Sequence, residues 1–108
     1  MITYEFGDIL LLRAFPFASL DDTKKRPALV LAETNDQDLV LARITSGQSR
    51  NEYDFLLDRW NDFGLLLSST VRLSKIATLD KRLIIKKLGR IGSPERRAVR
   101  TILKKLFS

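Results

Sequence analysis

The sequence predicts a mainly β fold, a small and strongly curved antiparallel sheet or barrel closed by one C-terminal helix. Three observations carry that reading. Several short β-rich runs are separated by polar segments with Gly and Pro punctuation. Residues 69–76 alternate between apolar and polar side chains, the period of a half-buried strand. From Ser93 onward the period changes to that of a helix, and no internal repeat, linker or low-complexity segment interrupts the chain. At 108 residues it makes one domain, spanning 1–108.

Gly7-Asp8-Ile9-Leu10-Leu11-Leu12 reads as the first strand, its continuous apolar run implying burial on both faces. Phe15-Pro16-Phe17 breaks it, and Ala18 to Lys25 forms a polar loop longer than a tight turn. The stretch from Lys24 to Gly47 organises the rest. Two β-rich runs flank Thr34-Asn35-Asp36-Gln37, which predicts an antiparallel hairpin and supplies strands two and three. If Asn35 and Asp36 form a two-residue loop, opposed positions sum to 71 and Arg26 faces Thr45; a four-residue loop slides the pairing by two positions and keeps them close. The open end of the hairpin then gathers Lys25, Arg26, Arg43, Thr45, Ser46 and Gly47.

Ser46 to Asn51 is a second polar loop, and Tyr53 to Leu57 a short strand. Asp58 to Asp62 reads as surface, punctuated by Gly64. In the run Ser69 to Ile76, Val71 and Leu73 face the core, with Arg72 and Ser74 opposite. Leu83 to Gly89 is the last strand, with a helical turn as the alternative. For the helix, Ser93 serves as N-cap, Pro94 suits the first position and Glu95 complements the positive helix start. Ala98, Val99, Ile102, Leu103 and Leu106 share one face, opposite Arg97, Arg100, Lys104 and Lys105.

Composition narrows the chemistry. With zero cysteines and zero histidines there is no disulfide framework, no thiolate, and no Ser-His or Cys-His nucleophile. Catalysis, if present, runs on Arg, Lys, Asp, Glu, Tyr, Ser and Thr. The net charge of +6 is uneven: residues 1–80 carry 9 basic and 12 acidic side chains, residues 81–108 carry 10 basic and 1 acidic, net +9. A basic last third favours a polyanionic or acidic partner, against the alternative of a face kept soluble by lysine. No apolar run is long enough to cross a bilayer and the N-terminus lacks the order of a signal peptide, so the expectation is a cytoplasmic protein.

Several blocks taken together are familiar. Gly7-Asp8-Ile9, then Lys25-Arg26-Pro27-Ala28-Leu29-Val30-Leu31, then Ile44-Thr45-Ser46-Gly47, and finally Val71-Arg72-Leu73 followed by Ala77-Thr78-Leu79-Asp80 stand in an order and spacing that resembles the MazF/PemK (Kid) toxin family. The resemblance runs from about Tyr4 to the C-terminus. It implies an SH3-like barrel with a C-terminal helix, a homodimer, and a toxin of a toxin–antitoxin pair that cuts single-stranded RNA without a metal or other cofactor. It also implies a cognate antitoxin with an acidic, disordered segment.

By position, the resemblance makes Arg26 the catalytic arginine before the proline, Thr45 and Ser46 the hydroxyl pair, and Arg72 the arginine of the fourth block. Some family members carry an aspartate two residues after that arginine as proposed base; here the residue is Ser74, which cannot take that role unaided. Asp21 and Asp22 are the substitutes the resemblance offers, weighed against turn and solubility roles. Lys24, Lys25, Arg43, Gly47, Gln48 and Ser74 complete the candidate RNA-binding set. Tyr53 and Trp60 either stack on unpaired bases or pack in the core or a dimer seam. Two other functions stay open: a non-catalytic toxin of the same fold that acts by protein contact, as a gyrase-poisoning relative does, and an RNA-binding module with weak or no activity.

Overall fold

The computed structural model describes residues 3–13 and 25–108. Within them six antiparallel strands form one curved sheet: β1 (Asp8–Leu12), β2 (Arg26–Glu33), β3 (Asp38–Ser46), β4 (Asp54–Leu57), β5 (Ser69–Asp80) and β6 (Ile84–Arg90). The spatial order is β4-β5-β3-β2-β1-β6, with β4 and β6 at the two ends and not paired to one another. The sheet is therefore strongly bent without being closed into a full barrel. A 3₁₀ turn at Trp60–Phe63 links β4 to β5, and helix α1 (Ser93–Leu106) follows β6.

The apolar continuity of β1 has the consequence expected of it, and β2 and β3 likewise bury side chains on both faces. Ile9, Leu29, Ala42 and Ile44 point to one cluster, which also holds Leu57, Phe63, Val71, Leu73, Ile91 and Val99. Leu10, Leu12, Ala28, Val30, Leu39 and Leu41 point the other way into a second cluster. Each fully buried Leu, Ile or Val there contributes about 1.5–3 kcal/mol. Helix α1 covers the first cluster: Val99 is fully buried, Ile102 and Leu103 pack beside it, and Arg97, Arg100, Lys104 and Lys105 stay in solvent.

Three local departures from the sequence reading have physical causes. Ser93 is the first helical residue, while Gly92 occupies the N-cap in extended geometry and makes no side-chain cap. Ser93 Oγ instead accepts from Arg96 Nη2 at 3.0 Å. The β2–β3 turn is wider than two residues: Thr34 to Gln37 lie outside the strands, with Asn35 at φ 61°, and Asp36 accepts from the Thr34 hydroxyl and from the Asp38 amide. Near the turn, opposed positions sum to 72 (Glu33↔Leu39); past an irregularity between Val30 and Ala32 they sum to 71 (Ala28↔Arg43). A bulge at Leu31 thus restores the register that the tighter turn would have given. Lastly, β5 runs on to Asp80, beyond the expected Ile76, and is itself bulged. Ala42 pairs with Ile76 while its neighbour Arg43 pairs with Arg72, which leaves Leu73, Ser74 and Lys75 spanning one step of β3. Such bulges sharpen the bend and make a tightly curved six-stranded sheet possible.

No helix among the described residues is long and apolar enough to cross a membrane.

Candidate functional site

The register sets the open end of the hairpin. The β2–β3 pairing ends at Ala28↔Arg43, and two residues beyond it on each strand Arg26 and Thr45 border one cavity. On its other side β3 pairs Thr45 with Thr70 and Ser46 with Ser69 on β5. Thr70 is fully buried, and its Oγ1 donates to the Gly47 carbonyl oxygen at 2.8 Å. This bond fixes the chain where it leaves β3. Gly47 sits at φ 118°, a conformation that side chains other than hydrogen rarely take, so the turn after Ser46 depends on glycine.

A cavity of about 380 Å³ opens at this corner. Lys25, Arg26 and Pro27 border it from β2 and its approach, Thr45 and Ser46 from the end of β3, and Lys86 and Leu88 from β6. Leu11, Ile44 and Ser69 also line it, and a further wall is the segment Gly64 to Leu67, whose three leucines the sequence reading passed over. Two glycines place that wall. A Cβ on Gly64 would stand 2.0 Å from the Leu88 carbonyl oxygen, and one on Gly89 would stand 2.1 Å from the Phe63 carbonyl oxygen. Only hydrogens fit on both sides of this crossing, so the backbone after the 3₁₀ turn lies flat on β6. Leu65 is buried there while Leu66, 90% exposed, and Leu67 project beside the cavity.

Three cations, three hydroxyls and an apolar wall thus meet in one place. A nucleotide carries matching features: an anionic phosphate, hydroxyls and a base with an apolar face. Arginine adds a planar fork that fits two phosphate oxygens, which a lysine ammonium cannot do.

The other candidates among the described residues lie outside this cavity. Arg43 and Arg72 are cross-strand partners, and Arg72 in turn pairs with Asp54 on β4. The Arg72 Nε lies 4.0 Å from Asp54 Oδ1, with the Arg72 side chain 12% exposed and the Asp54 carboxylate wholly buried. Ser74 is exposed within the β5 bulge, and Gly47 and Gln48 are exposed in the loop after β3. Trp60 packs against the first core cluster, and the half-buried Tyr53 ring lies under Lys105, whose Nζ is 5.7 Å from its centre. Asp21, Asp22 and Lys24 fall outside the described residues.

Sequence reasoning missed Asp54, Thr70, Lys86 and the leucine wall. A signal existed for Asp54, because an acid between Tyr53 and Phe55 in a short apolar strand needs a partner if it faces inward. No group of His, Cys, Asp and Glu among the described residues is arranged to hold a metal ion.

The fold superposes on that of an endoribonuclease in complex with its cognate antitoxin from a mycobacterial species, with a TM-score of 0.77 at 16% identity over 97% of this chain and 95% of that one. A MazE–MazF complex from Deinococcus radiodurans gives 0.77 at 19% identity, covering 100% of this chain and 98% of the other. The Mycobacterium tuberculosis toxin MazF-mt6 gives 0.75 at 17% identity, over 93% and 95% of the two chains. At these identities the likeness shows the fold. No curated protein sequence matches the chain. A family model does match residues 5–107, nearly the whole length. The chain belongs to the PemK-like, MazF-like toxins of type II toxin–antitoxin systems.

Proposed function

We propose that this protein is a metal-independent endoribonuclease toxin that cuts single-stranded mRNA at short sequences and so stops translation until a cognate antitoxin neutralises it. The observation that carries the reading is the meeting of Arg26, Thr45 and Ser46 at one cavity at the open end of the hairpin. In the reaction the ribose 2′-oxygen attacks the adjacent phosphorus in line with the departing 5′-oxygen. A base removes the 2′-hydroxyl proton, an acid protonates the 5′-oxygen, and the products are a 2′,3′-cyclic phosphate and a free 5′-hydroxyl. No enzyme nucleophile is needed, which suits a chain without histidine or cysteine.

Arg26 holds the equatorial oxygens as charge builds on them, and the Thr45 and Ser46 hydroxyls donate to the same group. Lys25 and Lys86 draw the RNA backbone to the cavity, and Arg43, Gly47 and Gln48 extend the binding surface along β3 and its loop. Arg72 acts from the adjoining row of charges. The base role falls to Asp21 or Asp22 in the segment leading to Arg26, because Ser74 cannot take a proton unaided.

The active form in this reading is a homodimer. Light scattering at micromolar concentration that finds only a 12.4 kDa species contradicts it. The antitoxin is acidic, drawn by the net +9 of residues 81–108, and its affinity falls as salt rises.

Incubation of the purified protein with single-stranded RNA in EDTA tests the activity. Discrete cuts are expected. A topoisomerase block without RNA cleavage points to the protein-contact alternative, and RNA retention without cutting points to an inactive binding module.

A further inference from the structure

β3, β5 and β4 lie side by side, and their pairing puts Arg43, Arg72 and Asp54 in one row across the three strands. Directly paired residues share a face of the sheet, so two guanidinium groups are neighbours and the carboxylate stands at the end of the row. Adjacent like charges repel, and a carboxylate buried without compensation is costly. The row offsets both costs. Asp54 Oδ1 is buried, makes no hydrogen bond, and has Arg72 Nε at 4.0 Å. The second oxygen, Oδ2, accepts from the Arg50 amide at 2.8 Å. The Asp54 amide donates to the Asn51 carbonyl at 3.1 Å, and Asn51 Oδ1 accepts from the Tyr53 amide. One buried residue therefore grips both the side chain of Arg72 and the loop that continues from Thr45 and Ser46. At the loop's other end stands the Thr70 bond to Gly47.

We propose that Asp54 is a positioning residue of the ribonuclease site, holding Arg72 in line with Arg43 through its charge and fixing the loop after Ser46 through its second oxygen. The proposal rests on the ribonuclease reading given above. Asp54 is too deeply buried to touch RNA, so it acts through Arg72.

This separates it from a bystander charge. Removing a bystander carboxylate near a phosphate site strengthens RNA binding and leaves cutting intact. Removing a positioning carboxylate lets Arg72 shift, so cutting slows although binding does not weaken. Asp54→Asn is the informative change, because its amide oxygen still accepts from Arg50 while the charge is gone. The experiment measures single-turnover cleavage, binding of a cut-resistant RNA with a 2′-deoxy sugar at the scissile position, and thermal melting. In Asp54→Asn cleavage is expected to fall about tenfold to a hundredfold, with binding unchanged or tighter and with melting above the assay temperature. In an Arg72→Ala background the same change is expected to cost little more, since its effect passes through Arg72.

Asp54→Glu tests whether a displaced carboxylate restores part of the rate, and partial rescue supports the proposal. Cleavage by Asp54→Asn at the wild-type rate overturns it, as does an equal loss in the Arg72→Ala background. If Asp54→Asn fails to fold, the Arg72 Nε–H resonance in Asp54→Glu decides: an unmoved resonance overturns the proposal and a shifted one supports it. Wild-type protein that leaves RNA whole overturns the ribonuclease reading itself, an outcome distinct from wild-type cleavage with an insensitive Asp54.

Discussion

The two ends of the β2–β3 hairpin are built from similar residues and use them in opposite ways. At the turn end, acids and bases satisfy one another. Glu33 Oε1 accepts from Lys81 Nζ at 2.6 Å and its Oε2 from the Tyr4 amide, while Asp36 is held by Thr34 and the Asp38 amide. Asp80 accepts from Arg82 through both side chain and backbone. All three carboxyls are accordingly held below the usual carboxylate range: Glu33 chiefly by the Lys81 hydrogen bond, Asp36 by that of Thr34, and Asp80 by that of Arg82. At the open end, Lys25, Arg26 and Lys86 border a cavity together with hydroxyls and exposed leucines. The turn end closes the fold on itself, and the open end presents its chemistry outward. Polar groups alone do not mark a site; what marks it is convergence on an open volume.

The sharpest way to break the comparison is at Arg26. Arg26→Ala is expected to slow RNA cleavage on the order of a hundredfold to a thousandfold, the usual cost of losing one preorganised donor. Arg26→Lys keeps the charge without the fork and is expected to fall between that and the wild type. Single-turnover rates on folded protein check both. A wild-type rate in Arg26→Ala moves the protein-contact reading ahead.

Gly89→Ala comes next. Its new methyl would collide with the Phe63 carbonyl, and separating the two backbones is expected to cost ~3 kcal/mol, at the upper end for overpacking. The same shift moves the Leu66–Leu67 wall, so thermal melting and cleavage are expected to fall together. A melting temperature equal to wild type contradicts the close crossing.

Lys81→Met, at the turn end, is expected to have the smallest effect. The folded pKa of Glu33 lies below its unfolded value, so its contribution is complete above the ordinary glutamate range and is lost as pH falls through the lowered pKa. Without Lys81 that acid-side loss shrinks, stability near neutral pH dips slightly, and the cleavage rate stays unchanged. Melting curves from pH 7 down to pH 3 check the first point. A slowed cleavage rate would contradict the division of the hairpin into two independent ends.

Much of this arrangement is legible in the sequence. Arg26, Thr45 and Ser46 could be brought together because a hairpin register depends on local turn length, and the Leu31 bulge happened to restore the tight-turn register at the open end. The helix followed from apolar periodicity, and burial on both faces of the first strand from its apolar continuity. What stayed hidden depends on pairings across long connections. Asp54 meets Arg72 only through the β4–β5 register, and the Gly64–Gly89 crossing joins segments with no shared local pattern. The continuation of β5 past its bulge was hidden for the same reason, since three residues of one strand spanning one step of another leave no periodic trace.

The central claim is that the open end of the hairpin cuts RNA by attack of the 2′-hydroxyl, and one measurement addresses it most directly. A short RNA containing the mapped cut site is compared with the same strand carrying a single 2′-deoxy sugar on the 5′ side of the scissile phosphate, both in EDTA. The account predicts that the all-ribose strand is cut to a 2′,3′-cyclic phosphate and a 5′-hydroxyl while the substituted strand stays whole. Equal cutting of both strands, or products ending in a 5′-phosphate, would contradict it.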